Sequence, residues 1–451
     1  MKRKITKETH KSKETQTDFN PITLQNIFIM PGHEDQDDPD YLPDDDSEDS
    51  LDKLKRCYTH KDYEYYDKLP KKKKKYIDRM EENIDKVDFF QIPMRFRILE
   101  SPIDIKLKQL AIQKIDELSM MFPGSGDYFK LKTWVENLCK LPIGKFKNLP
   151  VSKSDSIDKI AKFMESTKTK FDKLVYGHTE AKTQIIQLLA KLISNPTANG
   201  IVIGIHGPPG TGKTTILNNL SECLDIPYGF ISLAGITDQH VFRGFSMTYE
   251  SSRWGKIADI LMKTQVMNPI LYFDELDKIS TSHHGEEVAN FLVHLSDFSQ
   301  NFKFQDHYFA DIDLDLSKCI ILFSYNNEEL INPVLKDRMI TIKVNGYNIN
   351  DKITLAKEHI LPKIMTEFGF SEDDLLFDDT IIEYLINKVD EEEGARNMKR
   401  GLEEIVGSLN YKKLLAKITK FPLKITKDII DELLITNKKK DEHMSKHMMY
   451  L

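Results

Sequence analysis

Apolar residues along this chain follow two rhythms, and the change between them marks its organisation. In IDIKLKQLAIQKIDELSMM (Ile103 to Met121) and YFKLKTWVENLCKL (Tyr128 to Leu141) they recur every three or four positions, the period of a helix face. Pro123-Gly124 and Pro142 break these segments. A further amphipathic helix is predicted over Ser156 to Leu174, followed by Val175-Tyr176-Gly177 and a helix to about Ile193. Beyond Asn199 the rhythm becomes apolar run, turn, helix: Ile201 to Ile205, Gly229 to Leu233, Ile270 to Phe273, Cys319 to Ser324 and Met339 to Val344. Short β-rich runs alternating with helices predict an α/β fold, a parallel sheet covered on both faces. After Tyr347 the helical period returns, and a polar, Lys- and Met-rich tail begins at Asn437.

Before these rhythms start, residues 1–85 alternate blocks of like charge, too poor in apolar residues to repay the entropy of ordering. The run Lys71 to Lys75 is read as a solvated helix start, ahead of an import signal or a nucleic-acid contact. The predicted organisation is a disordered charged region (1–85), a helical segment (86–165), a large nucleotide-binding domain (166–346), a small helical domain (347–436) and a flexible tail (437–451).

Charge and composition narrow the function classes. The 451 residues hold 64 Lys+Arg against 71 Asp+Glu, a net charge of −7. Eleven acidic residues and no basic one lie between Glu34 and Asp52, so the acidity belongs to one tail and the remainder is mildly basic. That leaves a nucleic-acid role open without pointing to one. No apolar run approaches the ~18 residues of a membrane span, and the start MKRKITKETHKSKETQTDF has no apolar stretch for a signal peptide. No membrane association is expected, and an intracellular location is, with nucleus or virion left open. Cys57, Cys139, Cys223 and Cys319 are too far apart for a CxxC pair, which favours a reducing compartment and disfavours zinc.

The strongest chemical signal is Gly207-Pro208-Pro209-Gly210-Thr211-Gly212-Lys213-Thr214, between the apolar run Ile201 to Ile205 and the helix predicted over Thr215 to Leu224. It fits G-x-x-x-x-G-K-[ST] in the strand–loop–helix context that phosphate binding requires. Backbone N–H groups close around the phosphates, Lys213 reaches the β/γ-phosphates, and Thr214 offers a hydroxyl to Mg²⁺. A nucleoside triphosphate, ATP, with Mg²⁺ is the expected cofactor pair. Downstream, Ile270 to Phe273 ends in Asp274-Glu275, which places Asp274 for Mg²⁺ and Glu275 for polarising an attacking water. Such a pair can also merely cap a helix. Asn326 and Arg338, taken singly, read as a turn residue and a salt-bridged surface arginine. Their order after the Asp-Glu strand favours a water-orienting Asn and an arginine that stabilises transition-state charge on a neighbouring subunit's nucleotide. His283-His284 reads as loop surface or a substrate-facing loop, since further metal ligands are not evident in the sequence.

Together these motifs resemble the AAA+ ATPase part of Lon proteases, over about Ile92 to Leu414, and most closely Lon-like ATPases without a protease such as large DNA viruses encode. The resemblance is carried by Tyr176-Gly177-His178, the P-loop, Ile231-Ser232-Leu233 with Ala234-Gly235, Arg243-Gly244, Thr248-Tyr249, Asp274-Glu275-Leu276-Asp277-Lys278, Asp306-His307-Tyr308, Asp337-Arg338-Met339 and Gly394-Ala395-Arg396. It implies that Tyr176 lies near the adenine, that Asn326 is the first sensor and Arg338 the arginine finger, and that Arg396 in a small helical lid domain is the second sensor. It further implies a homo-oligomeric ring, usually a hexamer, with Tyr249 on a pore loop gripping a protein substrate. The chain departs from the Lon-like pattern at Glu250 to Gly255 and at Val293, where the family carries an acidic residue. With Leu451 as the last residue, the Ser-Lys protease domain is expected to be missing, and any proteolysis to come from a partner. The alternatives to a remodelling ATPase are a nucleotide-switched scaffold and a nucleic-acid motor.

Overall fold

The computed structural model describes residues 60–87, 92–195, 198–250, 252–280, 282–310, 312–371, 373–415 and 421–434. The acidic block 34–52 and the tail 437–451 lie outside them, as does Cys57. Contacts divide the chain into two compact units, one to Phe89 and one from Phe90.

In the first unit, helices span His60–Asp67 and Lys71–Val87. The expectation of disorder across 1–85 is corrected for these residues. The cause is a set of specific contacts that a count of charges does not show. Tyr66 is buried, donates to Asp78 at 2.6 Å, and receives the Lys74 ammonium 5.0 Å from its ring centre. The Lys71 to Lys75 run is a helix start, as read from sequence.

The second unit is built on a five-stranded parallel sheet: β1 Ile201–His206, β2 Tyr228–Ser232, β3 Ile270–Asp274, β4 Ile320–Tyr325 and β5 Ile340–Lys343, in the spatial order β2-β3-β4-β1-β5. All five predicted strands are present. Every residue of β4 is buried, as are the first five of β1, which explains continuous apolar runs where a half-exposed strand would alternate. Leu271 and Phe273 of β3 enter one core, Ile270 and Tyr272 the other, as a period of two demands.

The two faces are covered differently. One core packs helices Ile157–Leu174, Thr179–Ser194 and Lys213–Leu224. The helix Ile157–Leu174, capped by Ser156 Oγ accepting from the Lys159 N–H, runs unbroken across residue 165, where the sequence places a domain boundary. The other core is shared between the sheet, helices Lys256–Thr264 and His283–Leu295, and the N-terminal helices Met94–Glu100, Ile105–Met120 and Gly126–Leu138. Trp134, nearly fully buried, donates its indole N–H to the Tyr308 carbonyl at 3.0 Å and packs on Phe309. The segment predicted as a separate helical piece therefore shares a core with the sheet.

A third core, from Ala356 to Leu433, holds helices Leu361–Glu367, Asp379–Lys388 and Arg396–Leu414 and forms the expected small helical domain. Its first helix, Ile349–Leu355, starts on a capping box between Asn348 and Asp351. Two short strand pairs were not predicted, Phe304–Gln305 with Asp313–Leu314 and Leu375–Leu376 with Leu423–Lys424. With two residues each, they are too short for periodicity to reveal.

Trp134→Ala removes both the ring packing and the indole bond, and should destabilise the chain by about 3–5 kcal/mol in urea denaturation. A loss below about 1 kcal/mol would mean that these helices contribute little to the sheet's core.

Candidate functional site

The P-loop leaves the C-terminal end of β1, where Gly207 passes so close to β5 that a Cβ on it would lie 2.1 Å from the Val344 carbonyl oxygen. Lys213 starts the following helix, Lys213–Leu224. Its side chain folds back, with Nζ donating to the Gly207 and Pro208 carbonyls at 2.8 Å each and to Asn326 Oδ1 at 2.7 Å. Burial lowers the Lys213 pKa, opposed by the nearby Asp274 and Asp277 carboxylates. Thr211 is fully buried, its hydroxyl donating to the Pro208 carbonyl at 2.9 Å, while Thr214 faces solvent.

Asp274 ends β3 beside Lys213. Its Oδ1 accepts from Ser324 Oγ in a short bond and from the Glu275 N–H at 3.0 Å. Glu275 sits in the left-handed region at φ 61°, a conformation that costs energy for a residue with a side chain and that concentrates at functional positions. Asp277 is buried and accepts from the Asn327 N–H at 3.3 Å, tying the loop after β3 to the loop after β4. The structure therefore brings Lys213, Thr214, Asp274, Glu275 and Asn326 to one cleft at the C-terminal ends of the strands, where open α/β sheets bind ligands.

The small domain closes on this cleft. The Ala395 N–H donates to the Gly210 carbonyl at 3.0 Å, and a Cβ on Gly210 would lie 3.1 Å from Arg396 Cβ. Arg396 opens the helix Arg396–Leu414 and is near enough to Lys213 to lower its pKa further. On the far side of the P-loop, His178 Nε2 lies 2.9 Å from the Thr211 carbonyl and 2.8 Å from Tyr347 Oη, and Tyr347 also donates to Thr211 at 3.0 Å. Tyr347, Gly177, His178, Asn345 and Asp351 border a cavity of about 210 Å³. Tyr176 stands apart from its lining, with its hydroxyl on Asp351 at 3.3 Å and its ring 6.0 Å from His359.

Arg338 does not join the cleft. It pairs with Asp297 at 2.6 Å and donates to the Val293 carbonyl at 3.3 Å, so within this chain it is the salt-bridged arginine of the simpler sequence reading. The Ser299 hydroxyl, followed by the Arg338 guanidinium, lowers the Asp297 pKa to about 2. Tyr249 is well exposed (65%) beside a cavity of about 660 Å³ that also touches His240, Phe245, Glu250 and His307. The loop is anchored where the buried Asp306 accepts from the Gly255 N–H at 2.8 Å, and burial pushes the Asp306 carboxyl up to about 6. His283 and His284 lie at the start of a helix where a loop was expected, with Glu287 one turn on, and ligand atoms of the three fall within 4.8 Å of one another.

Sequence reasoning missed His178, Tyr347, Tyr272, Ser324 and Asp297 as site or support residues. His178 stood within the Tyr176-Gly177-His178 motif without a role of its own, and Tyr272 carries a signal as a hydroxyl among the Ile, Leu and Phe of its strand.

With this geometry in place, residues 203–346 match the ATPase family associated with various cellular activities (AAA), and this segment is an AAA domain. The chain is 36% identical over 257 residues to a Lon protease homolog of Acanthamoeba polyphaga mimivirus, covering 57% of this chain and 25% of that protein. It is 29% identical over 340 residues to the Lon protease of Clostridium beijerinckii, 75% of this chain and 41% of the relative. Against the peroxisomal Lon protease homolog 2 of Oryza sativa subsp. indica the figures are 32%, 65% and 32%. The chain thus spans a quarter to about two fifths of the length of these relatives. The similarity is therefore to Lon proteases, over a part of each that includes the AAA segment. Among the described residues no helix is long and apolar enough to cross a membrane.

Burial holds the His178 pKa below its ordinary value of 6.5. The unfolded chain then binds the proton that the folded chain refuses, so stability falls as pH drops through 6.5 and below. Thermal melts should show Tm falling on acidification over this range, and His178→Gln should lose less Tm over the same range than the parent. Equal losses would remove His178 from the balance.

Proposed function

We propose that the chain binds ATP with Mg²⁺ in the cleft between the P-loop, β3 and the small domain, and hydrolyses it. The observation that carries this is the convergence on Lys213 of the groups phosphoryl transfer needs. Asn326 bonds it at 2.7 Å and Asp274 acts on it electrostatically. Lys213, now held by its own loop carbonyls, would exchange them for phosphate oxygens, with P-loop N–H groups and the helix start adding favourable potential. The donor set suits Mg²⁺, a hard cation that takes carboxylate and hydroxyl oxygens: Asp274 and the exposed Thr214 would hold it. Bound there, Mg²⁺ would neutralise charge on the phosphates. Glu275 would polarise the attacking water, Asn326 would orient it, and Arg396 would reach the nucleotide from the small domain. Tyr176 would lie against the adenine.

In this reading Arg338 acts on a neighbour's nucleotide, so the working form is a ring, a hexamer by family likeness. Arg338 would have to leave Asp297 on assembly, which makes turnover depend on subunit association. The ring would remodel protein substrates drawn past Tyr249, whose exposure supports a gripping role. Glu275→Gln should lower kcat about a hundredfold or more while nucleotide binding, followed by fluorescence of a labelled ATP analogue, persists. Parent-like turnover in that variant would refute the assignment. Electron microscopy of the same variant with ATP tests the ring.

Tyr249→Ala separates remodelling from a nucleotide-switched scaffold. Loss of substrate processing with ATPase activity retained is the expected result, and unchanged processing would favour the scaffold.

A further inference from the structure

The core beneath the P-loop helix is built mostly of Ile, Val and Leu, and its one hydroxyl-bearing side chain stands on β3. Tyr272 is buried to 1% exposure among Ile201, Ile203, Ile216 and Leu322. An apolar ring would fill this space, so the hydroxyl requires a separate account, because a buried Tyr O–H must find partners. It lies 3.0 Å from Ser324 Oγ and 3.3 Å from Thr214 Oγ1, and Ser324 in turn donates to Asp274 Oδ1. The chain Thr214, Tyr272, Ser324, Asp274 thus joins the P-loop helix to β4 and the end of β3.

Donor and acceptor roles order this chain. The carboxylate can only accept, so Ser324 spends its proton on Asp274. Ser324 can then only accept from Tyr272, whose one proton faces both Ser324 and Thr214 Oγ1 and is donated to Thr214. One Thr214 lone pair is thereby taken from the protein side and the other is left to a cation. Asp274 Oδ1 is committed twice, to Ser324 and to the Glu275 N–H, so that Oδ2 is the oxygen left to a cation.

We propose that Tyr272 is a positioning residue for the divalent cation. Through one hydroxyl it fixes the Thr214 oxygen, to which it donates, and, by way of Ser324, the orientation of the Asp274 carboxylate, so that each presents a lone pair to the cation. The proposal rests on Mg²⁺–ATP binding at this cleft. It goes beyond that reading by assigning the cation's preorganisation to a group that does not touch it, as outer partners of metal ligands commonly do.

The test is a Mg²⁺ titration of the full chain's affinity for fluorescently labelled AMP-PNP, with no turnover involved. Tyr272→Phe keeps the ring and should bind the analogue in EDTA as the parent does, while the Mg²⁺ midpoint rises about tenfold. Ser324→Ala breaks the next link and should shift the midpoint similarly, and the double variant should add little, since the two groups act in series. A parent-like midpoint in Tyr272→Phe overturns the proposal, as does an equal loss of affinity with and without Mg²⁺, which would mark a purely structural hydroxyl. Should Tyr272→Phe fail to fold, an unshifted Ser324→Ala overturns it equally. A parent protein whose affinity ignores Mg²⁺ would overturn the Mg²⁺–ATP reading as well, whereas a Mg²⁺-dependent parent with an unshifted midpoint in Tyr272→Phe defeats this proposal alone.

Discussion

The register between β1 and β4 is the constraint on which the cleft depends. His206 is paired with Tyr325 at the end of both strands, so the P-loop and Asn326 emerge side by side and Lys213 can reach back to Asn326. Because side chains alternate along a strand, a slip of one residue would turn Ser324 away from Asp274 and Tyr272 and move the apolar set of β4 to the wrong core. Burial on both faces prevents this slip: every residue of β4 is enclosed, and Phe323 stacks on Phe273 of the neighbouring strand with ring centres 5.3 Å apart. The geometry of the site is thus maintained by apolar packing one residue behind it.

Much of this was legible from sequence because the signals are local. The apolar runs of the five strands, the glycines and lysine of the P-loop and the Asp-Glu ending of β3 each declare themselves within a few residues. What was not legible depends on contacts across long separations. His178 and Tyr347 are 169 residues apart and meet over the Thr211 carbonyl. Asp297 meets Arg338 only because the helix His283–Leu295 lies against the turn before β5. The N-terminal helices were readable as helices, but their membership of the sheet's core rests on Trp134 reaching Tyr308 across 174 residues. In the first unit, Tyr66 is buried between Asp78 and Lys74, a contact that block charge could not anticipate.

The two sides of the P-loop are held by unlike means. The small domain meets Gly210 through backbone, where a Cβ would press on Arg396 at 3.1 Å and the φ of 78° favours glycine. The strap at Tyr347 meets Thr211 through side-chain hydroxyl and imidazole, buried enough to push the Tyr347 phenol up to about 12. One contact is steric and indifferent to ionisation, and the other rests on polar groups that burial keeps neutral.

The union of Trp134 with Tyr308 has a mechanical meaning. Tyr308 follows Asp306, the carboxylate that anchors the Tyr249 loop at Gly255, so the N-terminal helices, that anchor and the sheet behind them form one block. The exposed Tyr249 loop is therefore tied to the sheet through that block, while the small domain, with a core of its own, meets the P-loop only through the contacts at Gly210 and Thr211 described above.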